Sequence, residues 1–223
     1  MQQFLTQDKL GKQLSVEFTA IDPLSPQFSE KLNSLSDSLS RAYVPVEVQF
    51  AREFSNCLSK DKFLHSIEPF FKDGVDNVKW PQVEEKVKEV LSQFFCNDFP
   101  KSFAANKEMS SNFSHFFIIA KDKDTKSPLG AIYCLTSKTD HEKIVRVPIF
   151  GVSPEAQSRG IGKLLMSSIL KCIPSTKKIA LSTRITNERA INAYHAWGFV
   201  PSPNTMENWA NLEYTVEQAN GLQ

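Results

Sequence analysis

The residues best placed to do chemistry lie in the run Gln157-Ser158-Arg159-Gly160-Ile161-Gly162-Lys163, which opens a long stretch of apolar periodicity. Glycine inside a helix costs about 1 kcal/mol relative to alanine, so two in the first turn need a reason. A tight turn that opens a helix presents unpaired backbone N–H groups and the positive end of the helix dipole. The guest such a mouth suits is an anion, above all a phosphate or diphosphate. Gly160 and Gly162 remove side chains where that guest would touch the backbone, and Arg159 and Lys163 add positive charge beside them. Two familiar phosphate loops do not fit. A P-loop needs glycine at position 157, where the chain has Gln, and Ser or Thr after Lys163, where it has Leu164. A dinucleotide fingerprint needs a third glycine at the position of Leu165.

A second group of candidates follows in Asn187 to Phe199, "NERAINAYHAWGF". Asn187 reads as the N-cap of a helix beginning at Glu188. Ala190, Tyr194 and Trp197 share one face of that helix, so Tyr194 is either a core tyrosine or a hydroxyl aimed at a reacting group. His195 points off that face and reads as solvent-exposed.

These candidates need strands and helices to hold them. Glu142 to Val152 reads as a strand feeding the glycine turn, and the helix after it carries Ile161, Leu164, Leu165, Ile169 and Cys172 until Pro174 ends it. Lys177 to Ile185 is the next strand, Asn187 to Gly198 the next helix, and Asn208 to Glu217 a last strand. This order implies parallel pairing in the C-terminal half. It is joined to an antiparallel hairpin from His115 to Ser137. Upstream, Gln13 to Ile21 alternates as a strand. Pro26 opens a helix carrying Phe28, Leu32, Leu35, Leu39 and Ala42, and residues 45 to 109 stay helical in character, with one clear helix opened by Pro81. The fold class is α+β with a mixed sheet.

At 223 residues, 41% hydrophobic and 23% charged, the composition is that of a soluble globular chain. A net charge of +1 gives no polyanion-seeking surface, which argues against nucleic acid and acidic membranes as main partners. Cys57, Cys96, Cys134 and Cys172 are scattered without CxxC spacing, so no metal site and no disulfide framework are expected and a reducing cytoplasm fits. The first residues carry no signal-peptide pattern, and nowhere do 18 apolar residues run together.

Gln157-x-x-Gly160-x-Gly162, led in by Phe150-Gly151-Val152-Ser153-Pro154, resembles the Q/R-x-x-G-x-G/A signature of the GCN5-related N-acetyltransferases. The downstream run resembles that family's second signature at Asn187, Ala190, Tyr194, Gly198 and Phe199. The resemblance covers Phe116 to Phe199 and weakens toward the N-terminus. It implies a single acyl-CoA N-acyltransferase domain over 1–223, with 25–110 an enlarged helical N-terminal segment and 112–217 the acetyl-CoA-binding core. It implies two central parallel strands, ending near Val152 and Ile185, that splay apart, with a bulge for which Pro148 is suited. It further implies backbone contacts from Phe150, Gly151 and Val152 to the pantetheine arm. Gln157, Ser158, Arg159, Gly160, Ile161, Gly162 and Lys163 would hold the diphosphate, Asn187 would lie near the pantetheine, and Tyr194 would protonate the departing thiolate.

The activity so implied moves an acetyl group from acetyl-CoA to a primary amine of a small molecule, peptide or protein, by direct attack in a ternary complex. The chain departs from a common family pattern, since no Asp or Glu lies between Lys143 and Gly151. Asp140, His141 and Glu142 at the start of that strand and Tyr133 on the neighbouring one are the nearby alternatives, and water-mediated proton loss or a base from the N-terminal helices is expected. Three alternatives stand beside this reading. A wider pocket around Tyr133 and Phe150 would favour a non-acetyl acyltransferase. The missing carboxylate would suit a coenzyme-A-binding regulatory protein without catalysis. The 45–110 segment could build an acceptor wall, a docking surface or a homodimer contact.

Overall fold

The computed structural model describes residues 1–61, 64–204, 206–217 and 221–222. Lys62 and Phe63, inside the helical segment expected over 45–110, lie outside them. Eight strands form one sheet: β1 (Gln2–Gln7), β2 (Gln13–Ile21), β3 (Phe113–Asp122), β4 (Pro128–Ser137), β5 (Ile144–Val152), β6 (Lys178–Arg184), β7 (Val200–Pro201) and β8 (Trp209–Thr215), in the order β1-β2-β3-β4-β5-β6-β8-β7. The helices are α1 (Pro26–Glu53), α2 (Trp80–Gln93), α3 (Phe99–Ala105), α4 (Lys107–Asn112), α5 (Ile161–Cys172) and α6 (Glu188–Ala196).

Side chains alternate between two cores, as strand geometry requires. Phe117 and Ile119 of β3 face the N-terminal helices, with Phe28, Leu32 and Leu35 of α1 and Val83, Val87 and Leu91 of α2. Ile118 and Ala120 face the other way, toward Leu165, Met166 and Ile169 of α5. With both faces covered, the central strands read as near-continuous apolar runs rather than clean alternations.

Four features differ from the sequence expectation, the first being β1, which pairs with β2 where no element is expected. The α1 helix runs unbroken through Pro45 to Glu53, because Leu39 and Phe50 on one side and Val44 and Val48 on the other keep it buried across the missing ladder hydrogen bond. The turn Phe94–Asp98 is a π-helix, which the sequence pattern gives no sign of. Finally, β5 and β6 pair in parallel, but the last strand β8 pairs antiparallel with β6. After α6 the chain reaches the sheet edge as β7, then reverses and inserts β8 between β7 and β6.

Candidate active site

Parallel pairing of β5 with β6 starts at Ile144–Lys178 and stops at Val147–Leu181. The next residue, Pro148, has no N–H to donate. Beyond it Ile149 to Val152 stay on β4, while Ser182 to Arg184 stay on β8, so the two central strands part. The register against β4 slips between Tyr133–Ile149 and Leu135–Arg146, which puts one extra residue in β5. That bulge reverses the alternation of the strand. Val145 and Val147 pack in the α5 core, Ile149 packs in the α1 core, and Phe150 and Val152 then face α5 and α6.

The parted strands open a cavity of about 910 Å³. Of the residues singled out from the sequence, Phe150, Gly151 and Val152 of the strand, Gln157, Ser158, Gly160, Gly162 and Lys163 of the turn, and Asn187 and Tyr194 of the second motif all line it. Arg159 and Ile161 do not. Ile161 is 1% exposed and belongs to the α5 core. Arg159 turns outward to the β1–β2 turn, where its Nε donates to the Asp8 carboxylate at 2.6 Å and its carbonyl accepts the Lys9 N–H at 3.0 Å. Burial alone would raise the Asp8 pKa, but the hydrogen bonds from Arg159, Lys12 and Leu10 outweigh it and hold the carboxyl below its ordinary value.

The turn itself has the geometry of an anion cradle. Gly160 is the N-cap of α5 with φ +84° and no side-chain cap, and Ser158 also has a positive φ of 64°. With no cap, the first-turn N–H groups of α5 face the cavity mouth unspent. Lys9 packs its stem over Gly160 and lines the same mouth with Lys163 and Arg189. The bareness of Gly162 serves packing as well, since a Cβ there would meet the Trp197 ring at 3.1 Å and the Phe150 ring at 3.5 Å.

Side chains of the two motifs bind one another across this mouth. Gln157 donates to the Val152 carbonyl at 3.1 Å and accepts from Arg189, whose other nitrogen reaches the Ser158 hydroxyl at 3.1 Å. Asn187 caps α6 by accepting from the Ala190 N–H at 3.4 Å and donates to Thr183 at 2.8 Å. Tyr194 is buried, packed at tilted and edge-on angles against Phe150, Trp197 and Phe199, and its hydroxyl has no hydrogen-bond partner among the described residues. Burial pushes its pKa well above the ordinary tyrosine value, so it carries its proton at all working pH. His195 is exposed, as its face implied.

The four alternative proton acceptors lie elsewhere. Tyr133 is fully buried in the α1 core, with its hydroxyl 2.7 Å from His115 Nδ1, and it does not line the cavity, so it widens no acyl pocket there. Asp140, His141 and Glu142 sit in the loop before β5, where Asp140 caps the Glu142 N–H at 2.7 Å.

What sequence reasoning missed comes from α1 and the end of β6. Tyr43 accepts the Phe150 N–H at 3.2 Å, and burial pushes its pKa up to about 12. Glu47, one turn further along α1, lines the cavity and is 4% exposed. Its Oε2 receives Arg184 Nη2 at 2.9 Å and Nε at 3.0 Å, and Arg184 Nη1 reaches Asp61 at 2.8 Å. The guanidinium lies between the Phe50 ring at 4.1 Å and the Trp209 ring at 4.4 Å. A signal for Glu47 was available: it is a carboxylate inside the apolar stripe, four residues after Tyr43 and three before Phe50.

No curated protein matches the sequence. Among solved structures, the PaiA N-acetyltransferase from Thermoplasma acidophilum, determined with coenzyme A, is similar in fold, with a TM-score of 0.51 at 12% identity, covering 90% of this chain and 98% of that one. A TM-score of 0.47 at 13% identity, over 91% of this chain and 96% of the other, relates it to the spermidine N-acetyltransferase from Vibrio cholerae in complex with coenzyme A and spermine. A family model described as the acetyltransferase (GNAT) family matches residues 81–199, just over half of the chain. With the parted central strands and the glycine turn in their expected places, this chain belongs to the GNAT acetyltransferase family.

Proposed function

We propose that the protein is an N-acetyltransferase that carries an acetyl group from acetyl-CoA to a primary amine by direct attack. The observation that carries this reading is the cavity between β5 and β6, which runs from an uncapped helix mouth with three cations to a buried tyrosine hydroxyl. The first-turn amides of α5, with Lys9, Lys163 and Arg189, suit the diphosphate. The free edge of Phe150 to Val152 suits the amide-bearing pantetheine arm. The Phe150 N–H, held by the Tyr43 hydroxyl, is the donor that a thioester carbonyl would take over, in the manner of an oxyanion hole. Tyr194 keeps its proton and gives it to the departing thiolate. The helices of the N-terminal segment then form the acceptor wall.

Calorimetric titration with acetyl-CoA, followed by thiol release with polyamines, aminoglycosides, amino acids and peptides, tests the reading. Micromolar binding with thiol release supports it, whereas binding without turnover of any amine would leave only a coenzyme-binding protein.

Two variants report on the parts. Tyr194→Phe keeps the ring packing and removes only the proton. The expected result is a fall in kcat of about tenfold, at the low end for a general acid because a thiolate leaves readily, with the KM for acetyl-CoA unchanged. Arg189→Ala removes a cation and the ties to Gln157 and Ser158. Coenzyme A affinity is expected to fall about tenfold and to lose part of its dependence on salt, which titrations at two ionic strengths would read.

A further inference from the structure

Asp8 opens the turn between β1 and β2, and its two carboxylate oxygens have different partners. Oδ1 accepts the N–H groups of Leu10 and Lys12, both at 2.9 Å, and so shapes the turn. Gly11 closes that turn with φ +76° and donates to the Asp8 carbonyl at 3.0 Å. Oδ2 points out of the hairpin. Arg159 brings both Nε and Nη2 to it at 2.6 Å, with the Asp8 side chain fully covered and that of Arg159 largely so. A charge-assisted contact of this kind is roughly twice as strong as a neutral hydrogen bond.

The hairpin also takes hold of the backbone. The Lys9 N–H donates to the Arg159 carbonyl at 3.0 Å, so Asp8 and Lys9 together grip residue 159 by its side chain and its peptide. Arg159 stands between Ser158, with φ 64°, and Gly160, with φ 84°. Left-handed backbone at a serine persists only where the surroundings over-determine it. Here those surroundings are the hairpin on residue 159 and Arg189 on the Ser158 hydroxyl. The two φ angles in turn decide where the unpaired amides at the start of α5 point. The same hairpin places Lys9, whose stem lies over Gly160 at the cavity mouth.

We propose that Asp8 is a positioning residue for coenzyme binding, with Arg159 as the brace through which it aims the α5 amides at the diphosphate; this rests on the acetyl-transfer reading above. Asp8 itself does not touch the carrier. It keeps Arg159 facing the hairpin, and through the backbone of residues 158 to 160 it keeps the cradle formed before the anion arrives. Without the brace the turn samples relaxed backbone, and affinity falls with the fraction of molecules whose cradle is intact. The charge on Arg159 is therefore spent on the turn and not on the phosphates.

Asp8→Asn in the full chain separates the brace from the hairpin turn. An amide oxygen still accepts from Leu10 and Lys12, but the amide offers Arg159 no charge, and its N–H groups meet a guanidinium that only donates. Calorimetry should find coenzyme A bound about tenfold more weakly, as for a cradle formed in about a tenth of the molecules. Arg159→Gln breaks the brace from the other side and should cost a similar factor, with the salt dependence of affinity unchanged. The double variant should bind no more weakly than either single one, because all three lose the same contact. With an amine that releases thiol, Asp8→Asn should raise the KM for acetyl-CoA about tenfold and leave kcat alone. Each titration is run well below the variant's own unfolding midpoint, so that it reads folded protein. Unchanged coenzyme A affinity in Asp8→Asn, even with lowered stability, overturns the proposal, since the pair then only fastens the hairpin. Tighter binding overturns it as well, because Asp8 would then be withholding Arg159 from the phosphates; so does a loss of salt dependence in Arg159→Gln. Failure of wild type to bind coenzyme A would instead remove the reading on which the proposal rests.

Discussion

Replacing Arg184 with alanine lowers stability by about 3–5 kcal/mol at neutral pH, the largest effect expected of any single substitution in the cavity wall. The Arg184 side chain is 1% exposed, and its loss leaves Glu47, itself 4% exposed, beside Asp61 with no cation between them. It also empties the space between Phe50 and Trp209. The deficit has a definite pH dependence. Glu47 already has a raised pKa in the folded protein, and losing the guanidinium raises it further. The folded variant then binds more protons than the unfolded chain, so its stability falls as pH rises and recovers on acidification toward the ordinary carboxylate pKa. Urea unfolding of wild type and variant at several pH values measures this. Adding Glu47→Gln to the Arg184 variant should restore part of the loss, because it removes the orphaned charge. A deficit that does not change with pH would mean that the cluster is held by packing alone.

Substituting Gly160 with valine should weaken coenzyme A binding by at least about thirtyfold and cost about 1–3 kcal/mol of stability. The cause is the backbone rather than the space. A Cβ on Gly160 meets only Lys9 side-chain carbons at 3.0 to 3.3 Å, and that flexible chain can move aside. The φ of +84° cannot be kept cheaply by a β-branched residue. The turn must therefore relax toward negative φ, which re-aims the first amides of α5 that suit the diphosphate. Gly162→Val offers the contrast. There φ is ordinary and the obstacle is the Trp197 ring at 3.1 Å, so the larger loss should be of stability. Calorimetry with coenzyme A, alongside thermal unfolding, separates the two. If Gly160→Val binds coenzyme A as tightly as wild type, the phosphate assignment fails.

Local signals carried the C-terminal half and the two long N-terminal helices into view. Pro26, Pro81, Pro174 and the glycines mark the helix ends, and the two motifs fix which strand ends meet the helix mouth. Pro148 announces the parting of β5 from β6 because it cannot bond across. What stayed hidden depends on distant partners. Arg159 reads as a phosphate ligand until Asp8, 151 residues away, is found holding it. Tyr133 reads as a site residue because it lies on the strand beside β5, but its place in the alternation sends it to the other core. Glu47 and Arg184 are 137 residues apart, and no local pattern pairs them. The antiparallel placement of β8 follows from a two-residue strand, β7, too short to register as periodicity.

The Tyr43 hydroxyl on the Phe150 N–H carries a consequence for turnover. On the acetyl-transfer reading proposed above, a thioester carbonyl entering the cleft would exchange one oxygen for another on the same donor. Free coenzyme A ends in a thiol and has no carbonyl to hold the donor. Tyr43 would reclaim it once the acetyl group had gone, and spent coenzyme would leave a cleft whose polar groups are paired as before. On that reading the residue competes with the loaded carrier and leaves the discharged one uncontested.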